Sequence, residues 1–515
     1  MLEFYMAGAG LRFAQVVIYS SLWIVIGCFV AAFFRRILGA EKTRKFFGDG
    51  TRRGLFIGWI MGMLIPVCSL GVIPIVREMH RAKVKGGTII AFGLTAPLFN
   101  PLSVLYGLTL SDPIAIITFS FCSLLIVTSL GILWDNFIAS NDSEESEEEK
   151  APAYGIKRML SMFDTCSREL AGPTLMYILI GMACSAIVAA MLPHGYLQSG
   201  LEQHNQFAPV KVSALAAPIY TTPLLAMSQI GGMFQHGNSI GAAFGLLILG
   251  AGINVGLIFC MANMFGWERI GAFLLLLVSI TLALAYTISG PLYPEGIEAA
   301  GHSHAFDVYS HPFPHGVGNS SENAWGKAVD FWQTNEFGGT YLLGCLILNG
   351  IGFRLLFRGV DLESWYQSAD NVTNKYDKEL PGWVLGLSMM FVLVGVSVAS
   401  CYVYYPSAKD VLADMDIVHT ECVLDARIQK WESAEKWLRM CDDLSRRLEI
   451  GIYLRLGNVD EFQATQGKIY RETLDELKHS IEARDSKRVE KQTTDVQSAF
   501  VRMKKAFKTK YVDEQ

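Results

Sequence analysis

Charged side chains are scarce in the apolar part of this chain. Only 18% of the 515 residues are charged, while 51% are hydrophobic and the mean hydropathy is +0.32. No Asp, Glu, Lys or Arg lies in the interior of the apolar segments of the two repeats described below; Asp112 lies at a hairpin end, and Glu268 and Arg269 lie in a short turn. Carboxylates inside a membrane usually mark proton relays, so a proton-coupled carboxylate in these segments is not expected.

Motifs for catalysis, cofactors and zinc are also missing. The ten cysteines form no C-x-x-C pair, which argues against a zinc ribbon or a thioredoxin-type site. The sequence has no nucleophile elbow, P-loop, H-E-x-x-H helix or haem-attachment motif. The net charge is −5, and the basic residues of the apolar region lie in short loops beside its segments, so nucleic acid is not an expected partner. These absences predict a protein that is not an enzyme and needs no cofactor.

Ten apolar stretches have about the 20-residue length that a helix needs to cross a bilayer. The first is long and is followed, not preceded, by Arg35 and Arg36, so we expect a retained anchor and not a cleaved signal peptide. The pattern predicts a multi-pass protein of the inner (plasma) membrane with the lipid bilayer as its surroundings. The stretches are 13–34, 54–76, 87–109, 113–134, 173–192, 212–230, 239–264, 268–292, 340–357 and 382–404.

One apolar pattern broken by proline and glycine occurs twice, 152 residues apart. The first copy reads Pro66-Val-Cys-Ser-Leu-Gly-Val-Ile-Pro74 and later Ala96-Pro-Leu-Phe-Asn-Pro101; the second reads Ala217-Pro-Ile-Tyr-Thr-Thr-Pro223 and later Gly250-Ala-Gly-Ile-Asn254. The strings Ala91-Phe-Gly-Leu94 and Ala243-Phe-Gly-Leu246 share the same offset. Interrupted hydrophobic segments at matching positions of two halves are typical of a transporter binding site near the middle of the membrane.

The lysines and arginines in short loops indicate the orientation of the segments. The loops before and after 54–76 are both basic, so this segment is predicted to enter from the cytoplasm and return. The loop 193–209 has no Lys or Arg and is predicted to be external, which makes 212–230 re-enter from outside. Each half then has three crossings and one re-entrant hairpin, and the second half is inverted. A topology of ten full crossings stays open.

The predicted fold is an all-α polytopic membrane protein, with an inverted repeat, two broken or re-entrant helical hairpins and a C-terminal soluble helical domain. The expected divisions are a first membrane repeat (1–134), an acidic cytoplasmic linker (135–170), a second membrane repeat (171–292), an external loop containing histidines (293–339), an accessory transmembrane pair (340–405) and the soluble domain (406–515).

A half-helix that ends inside a membrane leaves backbone groups that protein or a water-filled cavity must satisfy. Two hairpins that meet from opposite faces would bring small neutral polar side chains together, with glycine allowing a close approach of a ligand. The predicted substrate-binding residues are Cys68, Ser69, Gly71, Asn100, Thr221, Thr222 and Asn254. Packing between helices alone is the alternative explanation for such small residues.

The segment from Pro66 to Pro74, the basic turn after it and Ala91-Phe-Gly-Leu-Thr-Ala-Pro-Leu-Phe-Asn100 resemble the predicted-permease family that includes organoarsenical efflux permeases. Pro218 and Gly250-Ala-Gly-Ile-Asn254 are similar to the second-half motif of that family. The resemblance covers about residues 10–292 and implies a permease, with efflux of a metalloid or organometalloid as the expected activity. The family pattern commonly has Cys-Ser-Cys-Gly, where this chain has Cys68-Ser69-Leu70-Gly71.

Two other functions stay open. The first is a metal-ion transporter that gathers its substrate in the external loop, with His302, His304, His311 and His315 as candidate ligands, because imidazoles suit zinc, copper or nickel. The second is a membrane sensor or scaffold that does not transport and acts through 406–515. In that tail Cys422 and Cys441 could form a disulfide if the tail is external. The main prediction is a permease that moves a small solute, with outward movement expected, by alternating access; its oligomeric state is not indicated.

Overall fold

The computed structural model describes residues 2–48, 52–138, 156–197, 199–293, 304–312, 338–356 and 382–511. These ranges fold into helices joined by turns, and they contain no β-strand. The all-helical class predicted from the sequence is therefore confirmed. The chain forms two compact units, one of residues 1–104 and 114–394 and the other of residues 105–113 and 395–515, and each is described by itself below.

Four long apolar stretches of the described chain could each cross a membrane by length and composition. The first is α1 (Leu2–Phe33), which continues through a π-helical turn into α2 (Gly39–Phe46). The others are α7 (Pro113–Leu133), α9 (Pro173–Met191) and α14 (Trp267–Ser289). Several apolar spans, as predicted, therefore have a direct counterpart in the structure.

The first broken segment forms four short helices in place of two long ones. They are α3 (Arg52–Leu64), α4 (Val72–Arg81), α5 (Gly86–Thr95) and α6 (Pro101–Leu110). Pro66 and Pro97 lie in the two breaks, where the missing N–H and the ring prevent the preceding helix from continuing. Stretch 87–109 was predicted to cross the membrane, and the structure divides it at residues 96–100.

The second broken segment repeats this order of elements. Helices α10 (Ala208–Ala216) and α11 (Pro223–Gln235) are followed by α12 (Ile240–Gly245), a π-helical turn and α13 (Val255–Phe265). The axis bends by 57° at the break between Ala251 and Val255. Predicted stretch 239–264 is therefore either a broken span or a re-entrant loop, since neither half alone is long enough to cross.

A row of glycines allows α3 to pack closely against α5. Gly54, Gly58 and Gly62 are spaced by four residues and so share one face of α3. A side chain added at Gly62 would lie 2.9 Å from Cβ of Thr95. Small residues that let two backbones approach are a common means of holding helices together inside membranes.

The first unit also contains helices that lie outside the two broken segments in the chain. Part of the predicted linker 135–170 is a helix, α8 (Ile156–Leu170). In this helix, Thr165 accepts a 2.6 Å hydrogen bond from Nε of Arg36. Residues 139–155 of the linker lie outside the described residues. Helix α15 (Gly338–Leu356) packs on α1 and α8. The next helix is α16 (Gly382–Tyr404), most of which belongs to the first unit.

The C-terminal helices form a bundle with its own apolar core. They are α17 (Ala408–Arg427), α18 (Trp431–Leu456), α19 (Glu461–Glu482) and α20 (Ser486–Tyr511). Asp460 begins α19 with a capping box, which satisfies backbone N–H groups that would otherwise lack partners. The helical character predicted for this tail is observed between Ala408 and Tyr511.

A candidate solute site at the helix breaks

The second half of each broken pair begins with a side chain that caps its free N–H groups. Thr222 Oγ1 accepts a 3.3 Å hydrogen bond from Leu225 N at the start of α11. Asn254 Oδ1 accepts one of 2.9 Å from Leu257 N at the start of α13. Each capped end also carries the positive pole of a helix dipole, so the breaks suit the negative end of a polar solute.

Asn100 and Asn254 have the same local arrangement in the two halves. Asn100 Oδ1 accepts a 2.7 Å hydrogen bond from Ser103 N, as Asn254 Oδ1 does from a backbone N–H three residues further on. Both side chains are buried, and the Nδ2 atom of each has no hydrogen-bond partner. A buried amide N–H without a partner costs free energy comparable to a lost hydrogen bond, so both groups are suited to donate to a bound solute.

The breaks of the two halves lie against one another. The hydroxyl of Tyr220, in the break before α11, borders the thiol of Cys68 in the break before α4. A side chain added at Gly252 would lie 2.9 Å from Leu94 and 3.0 Å from Leu98, at the end of α5. The two broken segments therefore contact each other at these points, and a shared binding site between them stays a prediction.

The side chains of Leu70 and Asn254 both lie against Gly181 of α9. A side chain added at Gly181 would lie 2.7 Å from Cδ2 of Leu70 and 2.8 Å from Oδ1 of Asn254. The break before α4 and the break before α13 are therefore neighbours across this glycine. Ser69, next to Leu70, is fully buried, and its hydroxyl has no hydrogen-bond partner.

Gly71 packs against the backbone of α1. A side chain added at Gly71 would lie 2.4 Å from the carbonyl oxygen of Trp23, and one added at Gly27 would lie 1.8 Å from the carbonyl oxygen of Gly71. The space that a ligand would need beside Gly71 is thus taken by helix α1. Packing explains this glycine, and a contact with solute stays a prediction.

A small cavity lies beside the second break. Its walls include Ser185 of α9 and Tyr220, Thr221 and Thr222 of the break. The cavity measures about 30 Å³, room for roughly two water molecules. Thr221 and Thr222 are the two predicted binding residues that line this cavity, and a solute larger than two water molecules would extend beyond it.

Residues 304–311, which we call the strap, cover one side of this cavity. Val308 and Tyr309 of the strap line it together with Arg12 of α1. Tyr309 donates a 2.7 Å hydrogen bond from its hydroxyl to Oε1 of Gln229 on α11. Tyr309 and His311 are both buried, so the strap is part of the folded structure.

Arg12 and His311 attach the strap at two further points. Arg12 donates from Nε to the carbonyl oxygen of Ser310 at 3.0 Å and from Nη2 to that of Asp307 at 2.7 Å. The ring of His311 stacks on Phe4 with 3.9 Å between centroids, and its backbone N–H donates to the carbonyl oxygen of Leu192 at 2.8 Å. Helix α1 thus holds the strap over the break.

The histidines proposed as metal ligands are only partly described. The ring of His311 is buried against Phe4, whereas His302 and His315 lie outside the described residues and the side chain of His304 is not described. Within the described part of the chain, no three His, Cys, Asp or Glu side chains are placed to hold a metal ion. Metal binding by this loop stays a prediction.

Sequence reasoning did not single out Arg12, Tyr220, Gln229 or Tyr309. Gln229 is a buried polar residue within an apolar stretch, and Arg12 immediately precedes the first apolar stretch. A polar or charged residue at such a position is visible in the sequence alone and marks a candidate functional residue. Tyr309 is 80 residues from its partner Gln229 in the chain, and no local pattern connects the two.

Interrupted helices with capped ends inside an apolar, multi-pass bundle are the features of membrane transporters. The chain matches the predicted permease family over residues 6–290, more than half of its length, and belongs to that family. It is therefore a multi-pass membrane permease, which places it among transporters and not among enzymes.

Two curated relatives agree with this assignment. One, from Streptococcus mutans, is described as a candidate subunit of a two-component membrane permease complex; it is 22% identical over 260 residues, which cover 49% of this chain and 85% of the relative. The other, the UPF0718 protein YcgR of Bacillus subtilis, is 28% identical over 90 residues, or 18% of this chain and 31% of the relative. No solved structure matches the chain.

Proposed function

We propose that the protein moves a small solute across the membrane through a site between the two broken segments, by alternating access. One observation carries this proposal: Asn100 and Asn254 cap half-helices in the same way in the two halves, and each keeps a buried amide N–H without a partner. A transport site needs such donors, because the solute must be compensated for the water that it loses.

Inverted symmetry of the two halves would provide the two conformations that alternating access requires, one open to each side of the membrane. Each half has the same order of elements, namely a half-helix, a break, a half-helix, a basic or polar turn and a second broken pair. If the two halves enter from opposite faces, as the charges of the loops predict, rocking of one against the other would expose the site to each side in turn. We infer outward transport and a metalloid or organometalloid substrate from the resemblance to the arsenical permeases.

Transport into inverted membrane vesicles would test this function. Vesicles that contain the protein should accumulate one class among arsenicals, metal ions and oxyanions, and vesicles without it should not. A version that lacks 406–515 should retain flux if the first unit is the permease. Loss of all flux on this deletion, with normal membrane insertion, would favour a function that resides in the C-terminal helices.

Replacement of Cys68 by serine should separate thiophilic solutes from the others. The thiol accepts a 3.3 Å hydrogen bond from Gly71 N, and a serine hydroxyl can accept the same bond, so the fold should be retained. Flux of a trivalent arsenical should fall by about tenfold, the effect of losing roughly 1.4 kcal/mol of binding, while flux of an oxyanion should change less than twofold. Equal flux of the arsenical in both proteins would exclude a sulfur ligand at this position.

The strap should control access to the cavity from the face that is predicted to be external. Replacing Arg12 with glutamine removes charge-assisted hydrogen bonds to Asp307 and Ser310, each worth about 1.5–3 kcal/mol. The accessibility of the strap is measured with a cysteine introduced at Val308. In the Arg12→Gln protein, Val308→Cys should react with a water-soluble maleimide at least about tenfold faster than Val308→Cys does when Arg12 is retained. Arg52→Gln, which changes an exposed arginine of α3, serves as the control and should leave the rate unchanged. Equal rates in all three proteins would show that Arg12 does not hold the strap closed.

A further inference from the structure

The core of the second unit contains a thiol pair that permeation through the first unit does not use. Cys422 of α17 and Cys441 of α18 are fully buried, and each is a free cysteine. They belong to one apolar core, and their side chains contact each other across the interface between α17 and α18. Cys422 also lies 3.9 Å from the carbonyl oxygen of Ala434, two turns before Cys441 on α18.

Two polar side chains complete the cluster. His419 lies three residues before Cys422 on α17, and its Nδ1 is 3.1 Å from the hydroxyl of Tyr470. Its ring stacks on Phe500 with 4.0 Å between centroids, and both His419 and Tyr470 border the thiol of Cys441. His419 is only 5% exposed, and its Nε2 has no hydrogen-bond partner. An imidazole nitrogen without a partner beside a thiol is unusual in an apolar core, because most buried polar atoms are paired.

The two thiols differ in their tendency to ionise. The contact with Cys422, followed by the contacts with His419 and Tyr470, lowers the pKa of Cys441 against the opposing effect of burial. The same contact raises the pKa of Cys422. Cys441 is therefore the thiol of the pair that ionises more readily, and the thiolate is the reactive form of cysteine.

We propose that Cys422 and Cys441 form a reversible disulfide that links α17 to α18, with Cys441 as the attacking sulfur and His419 as a positioning residue. A metal site is the less favoured explanation, since no three His, Cys, Asp or Glu side chains of the described residues, His419 included, are placed to hold a metal ion together. The cross-link would close a loop of about 20 residues and restrict the unfolded chain, so the oxidised bundle should be the more stable form.

Hydrogen peroxide is small enough to serve as the oxidant of a buried pair. The Cys441 thiolate attacks one oxygen of peroxide; the S–O bond forms, the O–O bond breaks, and the hydroxide that leaves takes up a proton to become water. The Cys422 sulfur then attacks the sulfur of this sulfenic acid; the S–S bond forms, the S–O bond breaks, and a second water leaves with the Cys422 proton. Two thiols and one peroxide thus give one disulfide and two waters, and a dithiol reductant reverses the reaction.

The test uses the full-length protein in detergent with all ten cysteines present. After limiting hydrogen peroxide, the protein is denatured, alkylated and digested, and the peptides are mapped by mass. We expect one dominant linked pair, the peptide with Cys422 joined to the peptide with Cys441, with the loss of two hydrogen atoms and full recovery of both thiols after reduction. Complete alkylation of both cysteines after peroxide treatment would overturn the proposal.

Variants distinguish the attacking sulfur from a passive neighbour. In Cys422→Ser, Cys441 should accumulate as a sulfenic acid that dimedone traps; in Cys441→Ser, Cys422 should not. Cys401→Ser, which removes another buried thiol of the same unit, should leave the cross-link unchanged. Dimedone labelling of Cys422 and not of Cys441 would contradict the assigned order of attack.

His419→Gln should slow cross-linking about tenfold at neutral pH and move the pH dependence of its rate upward, since the variant loses the imidazole whose contact lowers the pKa of Cys441. The other titratable groups that face the pair are Asp425 of α17 and Tyr470 of α19, while α20 contributes Phe500. An unchanged pH profile in this variant would show that His419 only fills space.

Discussion

Replacing Asn254 with alanine should lower solute flux by roughly tenfold while membrane insertion is retained. Two effects add: the loss of the cap on α13, about 1 kcal/mol, and the loss of the buried Nδ2 donor, about 0.5–1.5 kcal/mol of binding. The measurement is initial flux into vesicles, normalised to the amount of protein in the membrane.

Asn254→Ser separates the two effects, because serine can cap the helix but has no amide group. If the amide binds solute, the serine variant should be nearly as slow as the alanine variant. Asn263→Ala changes an exposed asparagine of the same helix and should transport normally. Asn100→Ala should match Asn254→Ala if the two halves contribute equally. Flux at the native level in both Asn100→Ala and Asn254→Ala would reject the site.

Replacing Gly27 with alanine should prevent most of the protein molecules from folding correctly. The added carbon would lie 1.8 Å from the carbonyl oxygen of Gly71, and this backbone atom belongs to the turn that starts α4. Helix α1 would have to move away from the broken segment, with a cost of several kcal/mol, above the roughly 1–3 kcal/mol typical of overpacking in a core. We expect loss of the monodisperse peak in size-exclusion chromatography and a much lower inactivation temperature.

Gly10→Ala is the matched control, since both glycines lie in α1 and a side chain at Gly10 would meet nothing within 4 Å. Alanine favours a helix by about 1 kcal/mol over glycine, so this variant should be as stable as the parent or slightly more stable. Equal stability of the Gly27 and Gly10 variants would mean that α1 does not approach the break as closely as the structure shows.

Much of the architecture could be predicted from local patterns. The apolar stretches 113–134, 173–192 and 268–292 correspond closely to α7, α9 and α14, because a long uninterrupted apolar run in a helix needs no distant partner to satisfy its backbone. The breaks at Pro66 and Pro218 were also predictable, since proline ends a helix whatever surrounds it. The division of 87–109 was not identified as a break in a crossing, although Pro97 carries the same signal.

The sequence by itself determined the class of protein and the helix breaks at Pro66 and Pro218, because these depend on residues a few positions apart. Only the tertiary structure decided that Gly71 serves the approach of α1, that Tyr220 lies beside Cys68, and that His311 holds a strap in place. Those contacts join residues far apart in the chain. The partners in these contacts are set by shape and burial when the helices pack. The spacing of residues within one segment therefore does not predict them.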